Sequence, residues 1–260
     1  MKKIKAVLKN YLAPFKKVLE SVFEAEARVS AFWAKGAHKR LLQIQWGIVP
    51  MPEHFNHRID LFYQWLNSRN PQWVERGVYS GLVLQGGNLL ELACGDGFNA
   101  RNFYSLHSNK VIACDFDPRA LAAAKKYNRA QNIEYVLADI RTNMPKGKFE
   151  NVIFDAAIEH FTPQEIEEVL KNIKLRLTEN GILSGHTITQ RAGGKHLEHH
   201  EYEFKDKSDL LRFFTGHFKH VTVFETVYPG RTNLYFWASD GILPFRDNWK
   251  DFITENSVKE

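Results

Sequence analysis

The chain has 260 residues, of which 44% are hydrophobic and 13% aromatic, which is enough apolar material to bury one sizeable core. Its net charge of +5 is unevenly distributed, because residues 1–50 carry ten Lys or Arg and three Glu. Residues 51–260 carry 25 basic and 27 acidic groups, so the body lacks the diffuse basic field of a protein that follows a phosphate backbone.

The cysteine content and the hydropathy of the chain bear on its compartment. Two cysteines, Cys94 and Cys114, lie at the C-terminal ends of predicted core strands and form no disulfide framework, which favours a reducing compartment. No apolar stretch approaches the ~20 residues of a membrane span, and the lysine-rich N-terminus lacks an unbroken apolar region. We therefore expect a cytoplasmic protein.

Residues 1–25 have the pattern of a basic amphipathic helix. Apolar residues recur at spacings of four and three from Ile4 to Val22, and we expect Pro14 to kink or break the helix. Its apolar stripe would pack on the rest of the chain or on a second copy. Docking on an anionic membrane surface, with the helix associated peripherally, and binding of RNA are the alternatives.

Residues 31–66 are rich in aromatic residues and predict a helix, a Pro-containing loop and a second helix. Four polar residues cluster after the loop, namely Glu53, His54, His57 and Arg58. They are either solvated residues at a helix start or polar groups of a lid over a pocket. We predict that residues 1–83 form a helical extension that caps the rest of the chain.

The stretch Asn88–Phe103 predicts a strand, a tight turn and a helix. Asn88–Ala93 is an apolar run interrupted by Glu91, as in a parallel strand buried on both faces. Small residues at alternate positions, Ala93, Gly95 and Gly97, let the backbone turn sharply and approach a ligand. The free N–H groups of the following helix, predicted over 98–106, would face that ligand.

Strands and helices then alternate, as in a doubly wound parallel sheet. The predicted strands are 110–114, 133–138, 151–156 and 181–187, the predicted helices are 118–130, 163–177 and 207–214, and a hairpin joins 221–228 to 233–238. We predict an α/β, Rossmann-like fold with a mostly parallel seven-stranded sheet that ends in an antiparallel hairpin. The domain would span 84–240, with a tail at 241–260.

Two ligand classes suit this core. Gly95-x-Gly97-x-x-Ala100, with Asp115 about twenty residues beyond, fits the dinucleotide pattern and keeps a dehydrogenase open as a weaker alternative. Three features favour another ligand: Glu91 inside the first strand, Asp139 at the end of the third, and the terminal hairpin.

With these motifs the chain resembles the class I S-adenosylmethionine-dependent methyltransferases. Glu91–Gly97 is similar to the family's motif I, Asp115–Pro118 to the acidic end of its second strand, and Ala138–Ile140 to its adenine-contacting motif. Phe154–Phe161 resembles the segment after the fourth strand in the small-molecule branch. The resemblance covers about residues 86–240, with Ala93 in place of the usual first glycine of motif I. It implies S-adenosylmethionine as cofactor and S-adenosylhomocysteine as product.

The resemblance also implies roles for individual residues. Asp115 would accept hydrogen bonds from two ribose hydroxyls, Phe116 would lie against the adenine, and Asp139 would accept from its exocyclic amine. Glu91 and the backbone of the turn would hold the amino acid end. The predicted cofactor-binding residues are Glu91, Ala93, Cys94, Gly95, Gly97, Asp115, Phe116, Asp139, Ile140, Asp155 and Ala156.

The predicted catalytic residues follow the fourth and fifth strands. His160 is the first candidate for a general base because an ordinary histidine pKa of ~6.5 suits neutral pH, and Glu159 or His160 would otherwise position the substrate. A histidine-rich loop holds six potential ligands: His186, His196, Glu198, His199, His200 and Glu201. Its histidines, with His186 and His199 as candidates, would bind or deprotonate the acceptor, or the loop is merely solvated. We predict no metal, since the spacing matches no zinc pattern.

Methyl transfer is an in-line displacement, which requires mainly alignment of the reacting atoms. The expected acceptor is an oxygen or nitrogen of a small or carbohydrate-like molecule. The N-P-P-[YF] tetrad of base-amino methyltransferases and a Pro-Cys nucleophile are both absent from the sequence. Nucleic acid is therefore a less favoured partner. An RNA methyltransferase that uses the basic helix, and a non-catalytic cofactor-binding scaffold, remain as alternatives.

Overall fold

The computed structural model of the chain describes residues 2–47, 57, 59, 61, 71–190, 199–228 and 231–244. The chain divides into two compact units. One unit consists of Met1–Pro52 and Arg58–Arg69, and the other of Glu53–His57 and Asn70–Glu260.

The first unit contains one long helix, α1 (Lys2–Gly47). The helix extends well beyond the predicted residues 1–25 and continues through Pro14, so a break at Pro14 is wrong, while a kink there stays a prediction. A proline removes one backbone hydrogen bond, and the many other hydrogen bonds of this long helix keep the helix continuous despite that loss. None of the helices in the described part of the chain is long and apolar enough to cross a membrane. The predicted packing, membrane and RNA roles of residues 1–25 stay predictions.

The second unit is built on a seven-stranded sheet. Its strands are β1 (Asn88–Leu92), β2 (Lys110–Asp115), β3 (Ile133–Leu137), β4 (Phe149–Asp155), β5 (Leu177–Ile188), β6 (His220–Tyr228) and β7 (Arg231–Ser239). Its described helices are α2 (Gln72–Gly81), α3 (Phe98–Asn102), α4 (Pro118–Tyr127), α5 (Pro163–Arg176) and α6 (Lys207–Thr215). Short 3-10 turns occupy Tyr104–Leu106 and Ile158–His160.

The strand order is β3-β2-β1-β4-β5-β7-β6. The first five strands are parallel, whereas β7 is antiparallel to both β5 and β6 and lies between them. This arrangement confirms the predicted α/β fold with an antiparallel end. Because β1 lies between β2 and β4, their carboxyl ends share one edge of the sheet, as the pairs Leu92–Cys114 and Leu92–Phe154 show.

Alternation along β1 explains how the sheet is buried on both faces. Leu90 and Leu92 belong to the core cluster that includes α5 and α6, and Leu89 belongs to the cluster that includes α3 and α4. Glu91, between them in sequence, therefore points to the same face as Leu89. A carboxyl group at this position lies inside the protein, beneath the carboxyl edge of the sheet.

Most element boundaries lie within a few residues of the predicted ones, with two informative exceptions. The helix after the glycine turn ends at Asn102 instead of 106, because Phe103 leaves helical geometry (φ −127°, ψ −60°) and a 3-10 turn follows. Strand β5 begins at Leu177 instead of 181 and ends at Ile188, where its last residues pair with β7. His186 lies inside this strand, as the predicted strand 181–187 requires, so its additional assignment to the histidine-rich loop is wrong.

Candidate active site

The turn after β1 is held by three residues with positive φ: Ala93 (54°), Gly95 (55°) and Gly97 (73°). Left-handed geometry costs a residue with a Cβ roughly 1–2 kcal/mol, so Ala93 is a strained position. A Cβ on Gly97 would lie 2.3 Å from the hydroxyl of Tyr135, whereas a Cβ on Gly95 would meet nothing within 4 Å. Gly97 is therefore packed against the side chain of Tyr135, whereas Gly95 faces open space.

The carboxylate of Asp115 is buried and held in a fixed orientation at the end of β2. Its two oxygens accept hydrogen bonds from the backbone N–H of Gly95, at 2.8 Å, and of Asp117, at 2.9 Å. The next side chain, Phe116, is 57% exposed. An oriented carboxylate beside an exposed aromatic ring suits a ligand that has both hydroxyl groups and a flat ring.

Asp139 and Ile140 follow β3 at the same edge. Ile140 is buried, while the Asp139 side chain is 44% exposed. Asp139 Oδ1 accepts a hydrogen bond from the backbone N–H of Arg141 at 2.9 Å. This position leaves the carboxylate accessible to a polar ligand group, as the predicted adenine contact requires. The residues predicted for S-adenosylmethionine thus fit an adenosine-containing ligand above the turn.

A buried ion pair lies beneath the turn. Arg76, from α2, donates to Asp155 at the end of β4, with an Nη2–Oδ2 distance of 2.6 Å, and Asn99 donates to the same carboxylate at 3.2 Å. Ala156 follows with φ 47°. The sequence predicted Asp155 and Ala156 but not Arg76, because an arginine in an amphipathic helix gives no signal of its distant partner.

Glu91 and His186 adjoin this ion pair as buried ionisable groups. Burial, reinforced by the charge of Asp155, raises the pKa of Glu91 well above its ordinary value. Its Oε2 has no hydrogen-bond partner among the described residues. His186 is fully buried, its Nδ1 lies 3.6 Å from Asp155 Oδ1, and burial lowers its pKa well below 6.5. This placement makes His186 a neighbour of the ion pair, and its catalytic role stays a prediction.

Cys94, in the turn itself, is a buried free thiol. Burial raises its pKa well above the ordinary value, and charges of Glu91 and Asp115 act in the same direction. A protonated thiol is a poor nucleophile, and the predicted contact of Cys94 with the cofactor stays a prediction.

A second buried contact, between His57 and Asp96, fixes the far side of the turn. Asp96 accepts from the backbone N–H of His57 at 3.0 Å, and its other oxygen lies 2.8 Å from His57 Nδ1. The His57 ring stacks on Phe98, with centroids 5.1 Å apart, and meets Trp73 edge-on. Burial alone raises the pKa of Asp96, but the hydrogen bonds from His57 outweigh it and lower the pKa below its ordinary value.

His57 is therefore not a solvated residue at a helix start. Glu53, His54 and Arg58 lie outside the described residues. The His57–Asp96 contact could not be read from the sequence, because nothing in the local pattern links a polar cluster near residue 55 to the bend after β1.

The opposite side of the edge carries Glu159 and His160, in the 3-10 turn after β4. Glu159 is buried, and its Oε2 accepts a hydrogen bond from the hydroxyl of Thr187 at 2.9 Å. His160 Nδ1 lies 2.8 Å from the carbonyl oxygen of His199. The ring of His199 is exposed, so the structure gives its backbone a contact with the site and leaves its predicted catalytic role untested.

His200 completes this side of the site. It is buried, and its Nδ1 lies 3.0 Å from Glu203 Oε1. The backbone N–H groups of Glu201 and Tyr202 both donate to the carbonyl of Glu159, at 2.9 and 3.0 Å. Residues 199–203 are therefore fixed against the turn after β4. Two further members of the histidine-rich segment, His196 and Glu198, lie outside the described residues.

Comparison with known proteins shows what the central part of this chain is similar to. Residues 89–181 match the family model of a methyltransferase domain. The ribosomal protein L11 methyltransferase of Vibrio cholerae serotype O1 is 28% identical over 145 residues, which cover 54% of this chain and 46% of that protein. The chain thus spans about half the length of the curated relatives that it matches.

Solved structures agree in fold at low sequence identity. The DhpI structure, a complex with S-adenosylhomocysteine (SAH), superposes with a TM-score of 0.56 at 16% identity and covers 81% of this chain and 95% of that one. The N-methyltransferase NodS of Bradyrhizobium japonicum gives a TM-score of 0.54 at 16% identity, over 66% of this chain and 98% of that one. The predicted fold is thereby confirmed. Residues 89–181 are thus similar to a methyltransferase domain, and the chain shares the fold of solved methyltransferase structures.

Proposed function

We propose that this protein transfers the methyl group of S-adenosylmethionine to an oxygen or nitrogen of a small or carbohydrate-like acceptor. The observation that carries the proposal is the open space above Gly95, bordered by the oriented carboxylate of Asp115 and the exposed ring of Phe116. Asp115 would bind the ribose hydroxyls with its carboxylate, and the neighbouring Phe116 would contact the adenine with its ring. The bound cofactor supplies an activated methyl group, and the protein supplies orientation.

The amino acid end of the cofactor would lie over the buried layer below the turn. Glu91 offers an oxygen without a partner among the described residues, and its raised pKa favours the protonated form, which donates a hydrogen bond. Arg76 and Asp155 are paired, so the net charge of that pair is zero. Ala93 and Ala156, both with positive φ, lie just after β1 and β4 beside this layer, and the N–H of Ala156 donates to the carbonyl of His186 at 2.7 Å.

The acceptor would bind on the side of Glu159 and His160. The contact with the carbonyl of His199 requires a hydrogen on His160 Nδ1, which leaves Nε2 as the nitrogen able to accept a proton in the neutral ring. This tautomer suits a general base for a hydroxyl or amine acceptor. The near balance of 25 basic and 27 acidic groups over residues 51–260 favours a small acceptor over a phosphate backbone.

A protein acceptor is the second candidate. It is favoured by the name of the curated relatives, ribosomal protein L11 methyltransferase, at 28% identity over 145 residues. The match spans less than half of that protein, so a cofactor-binding domain shared by enzymes with different acceptors would also explain the similarity. RNA methylation through residues 1–25 and non-catalytic binding of the cofactor remain as further alternatives.

Transfer of radioactive methyl groups would test the proposal. The full chain and methyl-labelled S-adenosylmethionine would be incubated with cell extract, and the label measured in the small-molecule fraction, in protease-sensitive material and in RNase-sensitive material. We expect label in the small-molecule fraction, and none with an Asp115→Ala variant. If protease treatment released the label, the acceptor would be a protein. If RNase treatment released it, the acceptor would be RNA. Cofactor binding without transfer to any fraction would favour the non-catalytic alternative.

A further inference from the structure

Glu159, His160 and His200 form a compact cluster of metal-ligating groups. Each offers one ligand atom, and the three atoms lie within 4.8 Å of one another. Two of them come from the turn after β4, and the third comes from the segment that is fixed against this turn. We propose that these three side chains bind a divalent transition-metal ion, of the kind represented by Zn²⁺, Mn²⁺ or Co²⁺.

The contacts made by Nδ1 of the two histidines resemble those of metal ligands. A ligating histidine usually gives its second ring N–H to a carboxylate or a backbone carbonyl, which fixes the tautomer and the ring. His160 Nδ1 lies 2.8 Å from the carbonyl of His199, and His200 Nδ1 lies 3.0 Å from the carboxylate of Glu203. Both of these contacts are made through Nδ1, and Nε2 of each ring is therefore assigned to the ion.

The carboxylate ligand is held in a similar way. Glu159 Oε2 accepts from Thr187 Oγ1 at 2.9 Å, which leaves the other oxygen free to ligate. Its main chain is also fixed, because its carbonyl accepts from the N–H groups of Glu201 and Tyr202. Three ligands held by separate contacts form a preorganised site.

Charge supports the same conclusion. Two carboxylates, Glu159 and Glu203, are buried beside two imidazoles. Burying a carboxylate is unfavourable unless it is paired or coordinates a metal, and a dication would offset both charges. A contrasting case is the pair of His217 and Glu167, at 2.8 Å, beside which the described residues place no third metal-ligating side chain.

Two imidazoles and one carboxylate favour a transition metal over Mg²⁺ or Ca²⁺, which prefer oxygen ligands. Three protein ligands also leave open positions, as in catalytic metal sites. If the proposed function holds, an acceptor hydroxyl would occupy an open position and lose its proton more easily there. Metal binding at Nε2 would replace the role of His160 as a base. The prediction of no metal rested on linear spacing, which does not show that His200 folds back onto the turn after β4.

Metal titration of the untagged full chain tests the site. After dialysis against EDTA, Co²⁺ and Zn²⁺ would be added and binding followed by calorimetry and by Co²⁺ absorption. We expect one ion per chain, and at least about a tenfold loss of affinity in both His160→Gln and His200→Asn. His217→Asn is the matched control and should bind as the unaltered chain does.

Binding of S-adenosylhomocysteine to each metal-free variant would show that it is folded, and this readout is independent of the metal. Absence of stoichiometric Co²⁺ and Zn²⁺ binding by the unaltered chain would overturn the proposal. The proposal would also fail if His160→Gln and His200→Asn both bound these ions as tightly as the unaltered chain does. Stoichiometric metal binding that both cluster variants weaken would support the site even if methyl transfer were never found, so failure of the proposed function would be seen separately.

Discussion

The site has two sides that are built in different ways. The cofactor edge, defined as Ala93–Gly97 with Asp115 and Phe116, consists of backbone turns and side chains at the ends of adjacent parallel strands. The acceptor rim, defined as Glu159, His160, His200 and Glu203, consists of side chains brought together from segments far apart in sequence. The edge is specified by local sequence, whereas the rim exists only once the chain has folded. Substitutions in the edge and in the layer below it should therefore separate stability from ligand binding.

The largest expected effect lies in the buried layer beneath the cofactor edge. Arg76→Met removes the cation that pairs with Asp155 and leaves a buried carboxylate, which should lower the free energy of unfolding by about 3–5 kcal/mol. Urea unfolding measures this change. The matched control is Lys110→Met, which breaks an exposed pair with Glu134 and should change stability by about 0–1 kcal/mol. Equal effects in the two variants would mean that the buried layer does not support the edge.

The two glycines of the turn should respond differently to alanine. Gly97→Ala places a Cβ against Tyr135 at a positive φ and should lower the free energy of unfolding by about 2–4 kcal/mol. Gly95→Ala meets no neighbour, so it should cost only about 1–2 kcal/mol of backbone strain.

Calorimetry with SAH sharpens this contrast. Gly95→Ala should weaken binding by more than tenfold (about 1.4 kcal/mol), because the new methyl group enters the space assigned to the cofactor. Unchanged affinity in this variant would mean that the ligand does not lie over the turn.

The pH dependence of stability tests the burial of His186. Burial, with the charges of Arg76 and Arg231, holds its folded-state pKa well below 6.5, so the unfolded chain takes up a proton first as the pH falls. The unfolding free energy should therefore decrease below pH 6.5, by up to about 1.4 kcal/mol per pH unit. His186→Gln should remove this part of the slope in urea unfolding at pH 7.5, 6.5 and 5.5. If the unfolding free energy of the variant had the same pH dependence as that of the unaltered chain, the titrating group would not be His186.

Phe116→Ala should have the smallest effect and should act on binding alone. The ring is 57% exposed, so stability should change by no more than about 0.5 kcal/mol. Affinity for SAH should fall by about 1 kcal/mol, the size of an aromatic contact. Tyr127→Ala removes another exposed ring, at the end of α4, and should leave affinity unchanged. If Phe116→Ala lost more stability than affinity for SAH, the ring would contribute to packing of the fold and not to ligand binding.

The contrast between edge and rim also explains how much could be predicted from the sequence. The doubly wound sheet, the hairpin and the turn after β1 follow from local patterns, and Gly95, Asp115 and Asp139 lie at strand ends because the chain alternates strand and helix. These positions needed no knowledge of distant contacts.

The contacts that the sequence did not reveal all depend on tertiary structure. Arg76 reaches Asp155 and His57 reaches Asp96 from helical or irregular segments whose polar residues look like surface residues. His186 comes close to Asp155 because the two residues are opposite each other on the neighbouring strands β4 and β5, a pairing that the sequence of either strand alone does not show.

The most direct test of the central claim is calorimetric titration of the full chain with SAH, beside an Asp115→Asn variant. We predict one site per chain and an affinity at least tenfold lower in the variant, because hydrogen bonds to a charged acceptor contribute roughly 1.5–3 kcal/mol. NADH should not bind. If the folded chain binds NADH and not SAH, or binds SAH equally well without the Asp115 carboxylate, the cofactor edge does not have the role proposed for it.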